Sequence, residues 1–186
     1  MSPVFRLIFL AVVWVVWLFP FARRRVQGEQ KAVTVIRAAR WGILLAAAGF
    51  AFVFIHGPKP WSSPWPVWRF LLAAPLASVA IILSHSGVRN LGRQWRVDAG
   101  LNADHELIRT GPYRIVRHPI YASMLCIILA GVAVIGTLPG WPIGLVLFFI
   151  GTEIRVRIED GLLRGRFGEQ FEAWKRCVPA YIPFIR

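Results

Sequence analysis

The sequence predicts an all-α integral membrane protein with about five transmembrane helices and a C-terminal amphipathic helix. Of its 186 residues, 56% are hydrophobic and only 17% carry a formal charge, which is too apolar for an ordinary soluble domain. The apolar residues form separate blocks, and basic residues flank these blocks, as they do in membrane proteins. The net charge of +13 therefore indicates a lipid bilayer as the partner, and no nucleic acid.

Three apolar runs predict the spans of the N-terminal part, at residues 4–21, 38–55 and 68–83. Their lengths are close to the roughly 20 residues that cross the hydrocarbon core as a helix. A cleaved signal peptide is the alternative for the first run. That run is followed by Arg23, Arg24 and Arg25 rather than by small residues, which favours a retained helix. We expect residues 1–83 to form a unit of three transmembrane helices.

Two further apolar runs follow at residues 120–138 and 141–152. Pro139 and Gly140 between them predict a tight turn, so the two runs should form a helical hairpin. The second run is only about half of a span, and we expect its helix to continue through Glu153 and Arg155. Residues 84–186 thus form a second unit, which consists of an inside loop, this hairpin and a C-terminal helix.

Four apolar residues recur at spacings of four, four and three after the fifth run: Leu163, Phe167, Phe171 and Trp174. This spacing predicts an amphipathic helix, which Val178 and Pro179 end. Such a helix lies on the bilayer surface or, alternatively, packs as a lid over the inside loop. The pattern alone allows both arrangements.

The distribution of Lys and Arg predicts the topology. Residues 22–40 hold six, residues 84–119 hold six and the tail from residue 155 holds seven, which is 19 of the 22 basic residues. With five spans, all three segments lie on the same side of the membrane. The positive-inside rule then places the N-terminus outside and the C-terminus inside, in the cytoplasm.

Residues 107–121 form the polar, turn-rich stretch that precedes the fourth run. A proline after His118 keeps that histidine out of helical geometry and suits the first turn of the next helix. His118 either holds a ligand or caps this helix. Arg155 and Glu159 lie one helical turn apart where the fifth helix leaves the bilayer, and an ionisable pair near hydrocarbon indicates a functional cavity. No set of His, Cys and Glu residues has the spacing of metal ligands, so we predict no metal.

These residues resemble the isoprenylcysteine carboxyl methyltransferase family, whose pattern the related phospholipid methyltransferases share. The resemblance covers roughly residues 84–186. It rests on two groups of residues, namely Gly111-Pro112-Tyr113 with Arg117-His118-Pro119-x-Tyr121, and Glu159-Asp160-x-Leu162 with Phe167-Gly168, Phe171, Trp174, Val178-Pro179 and Ile182-Pro183. The sequence departs from the family where Asp160 replaces a second Glu and where Phe171 and Trp174 replace a pair of tyrosines.

The resemblance implies an integral-membrane methyltransferase that uses S-adenosyl-L-methionine. It implies that Arg155 meets the substrate and that Glu159 binds the cofactor, which makes both candidate catalytic residues. The other residues that it implies for the cofactor are His105, Glu106, Leu107, Ile108, Tyr113, His118, Pro119, Ile120 and Tyr121. With the topology above, the cofactor site lies on the cytoplasmic side.

The expected acceptor is a lipid-like or prenylated molecule, with a carboxylate favoured, as in O-methylation of isoprenylcysteine. A carboxylate is already ionised at neutral pH, and an arginine such as Arg155 can orient it through two hydrogen bonds. An amine acceptor, as in a phospholipid N-methyltransferase, has to lose a proton, and Glu159 could then act as a base. A sterol-type membrane reductase that uses NADPH and a non-enzymatic membrane protein are the remaining alternatives.

Overall fold

The computed structural model describes residues 2–26, 34–55, 66–135 and 140–183. These residues contain two short 3₁₀ turns at Gly92–Gln94 and Gly111–Arg114. Two strands, β1 (Thr34–Val35) and β2 (Gly100–Leu101), pair antiparallel. The α-helices in the described part are α1 (Pro3–Val26), α2 (Ala39–Ile55), α3 (Val67–Leu91), α4 (Pro119–Ile135), α5 (Gly140–Phe167) and α6 (Glu169–Cys177). The prediction of a helical protein is confirmed, and the small strand pair is an addition that the sequence pattern did not predict.

Two helical segments, Pro3–Arg23 and Val67–Gln94, are long and apolar enough to cross a membrane. The helices α2 and α4 are apolar but shorter, at 17 residues each. Large apolar side chains face outward on several helices, including Val15, Trp41 and Leu71, which are 68%, 67% and 64% exposed. Such an exposed apolar surface suits contact with lipid. The count of five spans and the division at residue 83 stay predictions.

A hydrogen bond links α1 to α3 within the apolar part of the protein. Pro20 lies within α1 and has no N–H group, so the carbonyl of Val16, four residues earlier, lacks its usual helical donor. Nε2 of His85 on α3 lies 2.8 Å from this carbonyl oxygen and donates to it. The ring of Phe19 stacks on the imidazole. The proline therefore opens a hydrogen-bonding position that the neighbouring helix fills.

Small residues let α2 and α5 pack backbone against backbone. A Cβ atom on Gly49 would lie 2.5 Å from the carbonyl oxygen of Gly144, and one on Gly151 would lie 2.5 Å from the carbonyl oxygen of Gly42. Real Cβ contacts are not this short, so the glycines are needed for the approach. Close packing through small residues is a common way for membrane helices to associate.

A C-terminal amphipathic helix is present as α6, which buries Phe171 and Trp174, but the prediction that one continuous helix carries all four apolar residues is wrong. Gly168 has a φ of +51° and separates α5 from α6, so Leu163 and Phe167 end one helix while Phe171 and Trp174 begin the next. A positive φ is unfavourable for residues with a side chain and is therefore usually occupied by glycine. The apolar residues still pack together, around Tyr113 of the loop between α3 and α4. Because Phe171 is fully buried and Trp174 is 8% exposed, the lid arrangement is the one observed.

The helix α3 is longer than the apolar run that predicts it, because polar side chains extend it after residue 83. The hydroxyl of Ser86 donates to the carbonyl of Ile82 at 2.5 Å, and Nδ2 of Asn90 donates to the carbonyl of Ser86 at 2.8 Å. The helix α5 runs without a break from Gly140 through Glu153 and Arg155, as predicted. Pro139 of the predicted turn lies outside the described residues.

Candidate functional site

The loop between α3 and α4 turns sharply at Gly111, which has a φ of +57°. A Cβ atom on this residue would lie 2.6 Å from Nδ2 of Asn90, and the hydroxyl of Thr110 donates to Oδ1 of the same Asn90 at 3.1 Å. The predicted turn at Gly111-Pro112 is therefore a short 3₁₀ helix held against the end of α3. It brings the chain back toward the first turn of α4.

The segment after α6 fixes the backbone that precedes α4. The N–H of Arg117 donates to the carbonyl of Pro179 at 2.8 Å, and that of His118 donates to the carbonyl of Ala180 at 2.7 Å. Nη1 of Arg117 also donates to the carbonyl of Val178. The carbonyl of His118 accepts from the N–H of Ala122 at 3.1 Å. His118 thus begins α4 with its backbone, which leaves its imidazole for other contacts.

The carboxylate of Asp160 on α5 contacts three basic side chains. Asp160 is 4% exposed. Its Oδ1 accepts from Nε2 of His118 at 2.9 Å, while Oδ2 lies 3.0 Å from Nη2 of Arg117 and 3.2 Å from Nζ of Lys175. This one carboxylate therefore connects α5 with the loop and with α6. A buried carboxylate is retained only where such partners compensate its desolvation.

The surroundings of His118 raise the pKa of its imidazole. Burial lowers the pKa, but the hydrogen bonds to the carboxylates of Asp160 and Glu159 outweigh this effect. The two carboxylates therefore favour the protonated form of the imidazole. Nε2 is committed to Asp160, whereas Nδ1 lies 3.5 Å from Oε2 of Glu159, a long and weak contact. Nδ1 is the atom that a ligand could meet.

Arg155, Glu159 and Tyr121 form a second buried network. Nη2 of Arg155 donates to Oε1 of Glu159 at 2.7 Å, which confirms the predicted pair. Nε of Arg155 donates to the hydroxyl of Tyr121 at 2.8 Å, and this hydroxyl donates to the same Oε1 at 2.6 Å. Nη2 also reaches the carbonyl of Val97 at 3.0 Å. Arg155 is 6% exposed, and its Nη1 has no partner among the residues that the structure describes.

Two further polar side chains of the loop between α3 and α4 line the same region, Tyr113 buried and His105 half-buried. Tyr113 is 5% exposed, and its hydroxyl lies 3.4 Å from the carbonyl of Gly87. Burial, with a smaller contribution from the charge of Glu159, raises the pKa of this phenol well above its ordinary value. Burial, followed by the positive charge of Arg166, lowers the pKa of His105. Nδ1 of His105 is buried without a partner within the described part of the chain.

One cavity of about 690 Å³ connects these groups, a size within the usual range for a small-molecule site. Its wall includes all eleven residues that the sequence and the resemblance single out: His105, Glu106, Leu107, Ile108, Tyr113, His118, Pro119, Ile120, Tyr121, Arg155 and Glu159. The structure therefore brings together residues that are up to 54 positions apart in the sequence (105 to 159). Their roles toward a ligand stay predictions.

The cavity extends well beyond those residues, into the N-terminal helices. The face of α1 that lines it repeats at positions i, i+3, i+4, i+7 and i+8, as Trp14, Trp17, Leu18, Phe21 and Ala22. The facing residues of α2 are Gly42, Ile43, Ala46, Ala47 and Phe50. The cavity thus has a polar end between the loop and α5, and an apolar end between α1, α2 and α4.

Thr152 also lines the cavity, although it was not among the residues predicted from the sequence. It is 1% exposed, and its hydroxyl has no partner in the ranges that the structure describes. It precedes Arg155 by three residues on α5, so helical spacing from Arg155 would have found it. No such signal exists for the residues of α1 and α2, because only the packing of the helices brings them to the cavity.

The described residues contain no group of three or more His, Cys, Asp and Glu side chains that could hold a metal ion. Several ionisable side chains that line the cavity pair with neighbouring charges. Arg155 and His118 lie near the carboxylate of Glu159, and Arg117 and His118 contact that of Asp160. The cavity wall carries charges of both signs, since Arg96, Asp98 and Glu106 also line it.

Comparison with known proteins identifies two similarities. Residues 68–170 match the family model described as phospholipid methyltransferase. A curated relative, protein-S-isoprenylcysteine O-methyltransferase of Schizosaccharomyces pombe, is 29% identical over 84 residues, which are 45% of this chain and 36% of the relative. The match thus spans about a third of the length of that relative. The family match includes the loop between α3 and α4 and the Arg155–Glu159 pair, but neither α1 nor α2.

Proposed function

We propose, from the premise that the chain belongs to the phospholipid methyltransferase family, that it transfers a methyl group from S-adenosylmethionine to a membrane-associated acceptor with a carboxylate head. The observation that carries this proposal is one cavity with an apolar extension between the helices and, at its polar end, a cationic nitrogen, Nη1 of Arg155, that has no partner among the described residues. A polar head and a lipid-like chain would fit these two parts.

The polar end suits the cofactor that methyltransferases of this family use. His105 contributes a buried nitrogen without a partner within the described ranges, and Tyr113 contributes an aromatic ring to the wall. An aromatic face can stack on adenine or lie against a cation. Nδ1 of His118 and the backbone of residues 105–108 would hold the polar ends of the molecule. When bound, S-adenosylmethionine supplies the electrophilic methyl group.

Arg155 is suited to hold an acceptor carboxylate. Nε and Nη2 are fixed by Tyr121, Glu159 and the carbonyl of Val97, so the orientation of the guanidinium is set before a ligand arrives. Nη1 remains for the ligand. A hydrogen bond from a charged donor to a carboxylate is about twice as strong as one between neutral groups. Holding the acceptor in line with the methyl group and excluding water would lower the barrier.

An amine acceptor is less well supported, because it requires a base to remove its proton. Glu159 is the candidate, yet its Oε1 accepts from both Arg155 and Tyr121, and its Oε2 faces His118. A carboxylate with these partners is stabilised in its charged form and is a weak base. A carboxylate acceptor needs no proton transfer, which agrees with this arrangement.

The location of the reaction follows from the same proposal. The basic loops that surround the polar end would lie in the cytoplasm by the positive-inside rule. The apolar end would then lie within the bilayer, so that a lipid chain remains in an apolar environment while its head reaches Arg155. The acceptor would move laterally from the membrane into the cavity.

Calorimetric titration of S-adenosylhomocysteine into the detergent-purified protein tests the cofactor, with NADPH as a parallel titration. We expect saturable binding of the first ligand, and weaker binding in His118→Ala. If NADPH bound and S-adenosylhomocysteine did not, the reductase alternative would replace the methyltransferase. If neither ligand bound to a folded sample, a non-enzymatic protein would be favoured.

Methyl transfer from radiolabelled S-adenosylmethionine tests the acceptor. An S-prenylated cysteine with a free carboxylate should be methylated, whereas its carboxamide analogue should not. Arg155→Ala should retain the affinity for S-adenosylhomocysteine and lose turnover. If phosphatidylethanolamine were methylated and the prenylated carboxylate were not, the activity would be phospholipid N-methylation.

A further inference from the structure

We propose that Trp14 determines the length of the acceptor chain, by forming the closed end of the apolar part of the cavity. This inference rests on the proposed function, since it takes the acceptor to carry an apolar chain. Trp14 lies in α1, outside the region that matches the family model.

An aromatic cluster lies at Trp14 and Phe50, the last residues of α1 and α2 that line the cavity in this direction. Its ring lies edge-on to Phe50 and Phe54 of α2, with centroids 5.7 and 5.5 Å away, and edge-on to Trp17, 5.4 Å away. Phe50 in turn meets the ring of Phe148 on α5 at 5.6 Å. Edge-to-face contacts at these distances are favourable. The rings thus connect three helices across the deep end of the cavity.

The distance from the polar end to this cluster follows from the helices. Gly42 lies beside Arg155, and Phe50 follows it by eight residues, or about 12 Å along the axis of α2. On α1, Trp14 precedes Phe21 by seven residues, or about 10 Å. Phe21 contacts Trp95 of the inside loop. Both helices therefore give the apolar part a similar, limited length.

The sides of the apolar part are less closed than its end. The helix α1 packs against α3 rather than against α2, and it reaches α2 through the ring of Trp14. Leu18 lines the cavity while 45% exposed, and Ala47 is likewise both exposed and part of the wall. A chain could pass between α1 and α2 at this level. Once inside, its far end would meet Trp14.

The first test measures methyl transfer to a series of S-alkylated cysteines whose chains increase in length. We expect kcat/KM of the wild type to rise with chain length, reach an optimum and fall. The optimum should move to longer chains in Trp14→Ala and by a smaller amount in Trp14→Phe, without a change in the affinity for S-adenosylhomocysteine. Trp68→Ala is the matched control, because Trp68 is 57% exposed and does not line the cavity. The chain length at which kcat/KM is highest should be the same in this variant as in the wild type.

An unchanged optimum in Trp14→Ala, in protein that still binds S-adenosylhomocysteine, would overturn the inference. Failure of the proposed function looks different, because the wild type would then methylate none of the acceptors.

A second measurement does not depend on turnover. Cysteines carrying an alkyl chain brominated at its far end should quench part of the tryptophan fluorescence. Trp14→Phe should reduce this quenched part, and Trp17, whose ring lies 5.4 Å from that of Trp14, should account for the remainder. Bromine placed a few carbons from the sulfur, near the head of the chain, should leave the fluorescence of Trp14 unchanged. If far-end bromine quenched the wild type and Trp14→Phe equally, Trp14 would not be the end of the chain site, even in a protein without methyltransferase activity.

Discussion

Gly42 and Arg155 lie so close that a Cβ atom on Gly42 would be 2.7 Å from Cγ of Arg155. The same atom would lie 2.7 Å from the carbonyl oxygen of Gly151. The missing side chain of Gly42 therefore leaves the space through which the aliphatic part of Arg155 passes between α2 and α5. The position of the guanidinium depends on a helix that lies outside the family match.

Gly42→Ala should impair turnover more than it impairs cofactor binding. The new methyl group meets a backbone oxygen as well as the arginine, so the two helices have to separate or Arg155 has to move. Overpacking of this kind typically costs about 1–3 kcal/mol of stability. We expect kcat/KM for the acceptor to fall at least tenfold, measured with radiolabelled S-adenosylmethionine, while the affinity for S-adenosylhomocysteine changes little.

Gly165→Ala is the matched control for this substitution. Gly165 is likewise a glycine within a helix, α5, but a Cβ atom there would have nothing within 4 Å. Alanine in an exposed helical position should leave activity unchanged and stabilise the helix by up to about 1 kcal/mol. If Gly42→Ala retained full turnover, Arg155 would not depend on the packing of α2.

Thr152→Val should stabilise the protein without ligands and weaken its interaction with the acceptor. The hydroxyl of Thr152 is buried without a partner in the described structure, and a buried unsatisfied polar group costs about 1–3 kcal/mol. Valine keeps the shape and removes this cost, so the midpoint of thermal unfolding should rise. If the hydroxyl donates to the acceptor carboxylate, KM for the acceptor should rise roughly tenfold or more.

Thr152→Ser provides the rescue, since it restores the hydroxyl. It should return KM toward the value of the wild type. A rise in thermal stability of Thr152→Val with an unchanged KM would mean that the hydroxyl does not contact the acceptor.

The part of the site that could be predicted from the sequence is the part with local spacing. Arg155 and Glu159 are one turn apart on one helix, and the glycine and prolines around His118 fix a turn and a helix start. The residues Trp14, Gly42 and Phe50 could not be predicted. Their contribution depends on how α1 and α2 pack on other helices, and an apolar face has the same composition whether it contacts lipid, another helix or a cavity.

The break between α5 and α6 shows a different limit of sequence analysis. The apolar residues on either side of Gly168 keep helical spacing, so the pattern predicts one helix. The positive φ of this glycine changes the direction of the chain without disturbing the pattern. Phe171 and Trp174 remain apolar because they pack against Tyr113, not because they continue the face of α5.

Asp160→Asn should destabilise the protein strongly. The carboxylate accepts from His118 and pairs with Arg117 and Lys175, and the amide cannot balance their charges. Removing one partner of a buried ion pair typically costs about 3–5 kcal/mol. Thermal unfolding in detergent should show a large decrease in the midpoint, whereas Glu153→Gln, which affects the exposed pair with Arg157, should change it little. Similar decreases in both variants would contradict a special role of Asp160.

The contribution of His118 to stability should decrease as the pH rises. The groups that face it are Asp160 and Glu159 of α5 and the ring of Tyr121 on α4, and Lys175 of α6 shares Asp160. The two carboxylates raise the pKa of His118 in the folded protein. A pKa raised by folding adds stability that is fully present below the unfolded value of about 6.5 and is lost as the pH passes the folded value. The difference in unfolding midpoint between the wild type and His118→Gln should therefore be largest at acidic to neutral pH and shrink in alkaline solution. In the Asp160→Asn background, the difference in unfolding midpoint caused by His118→Gln should shrink at a lower pH, because one of the two carboxylates is absent. A difference that grew with pH would show that the imidazole is buried in its neutral form.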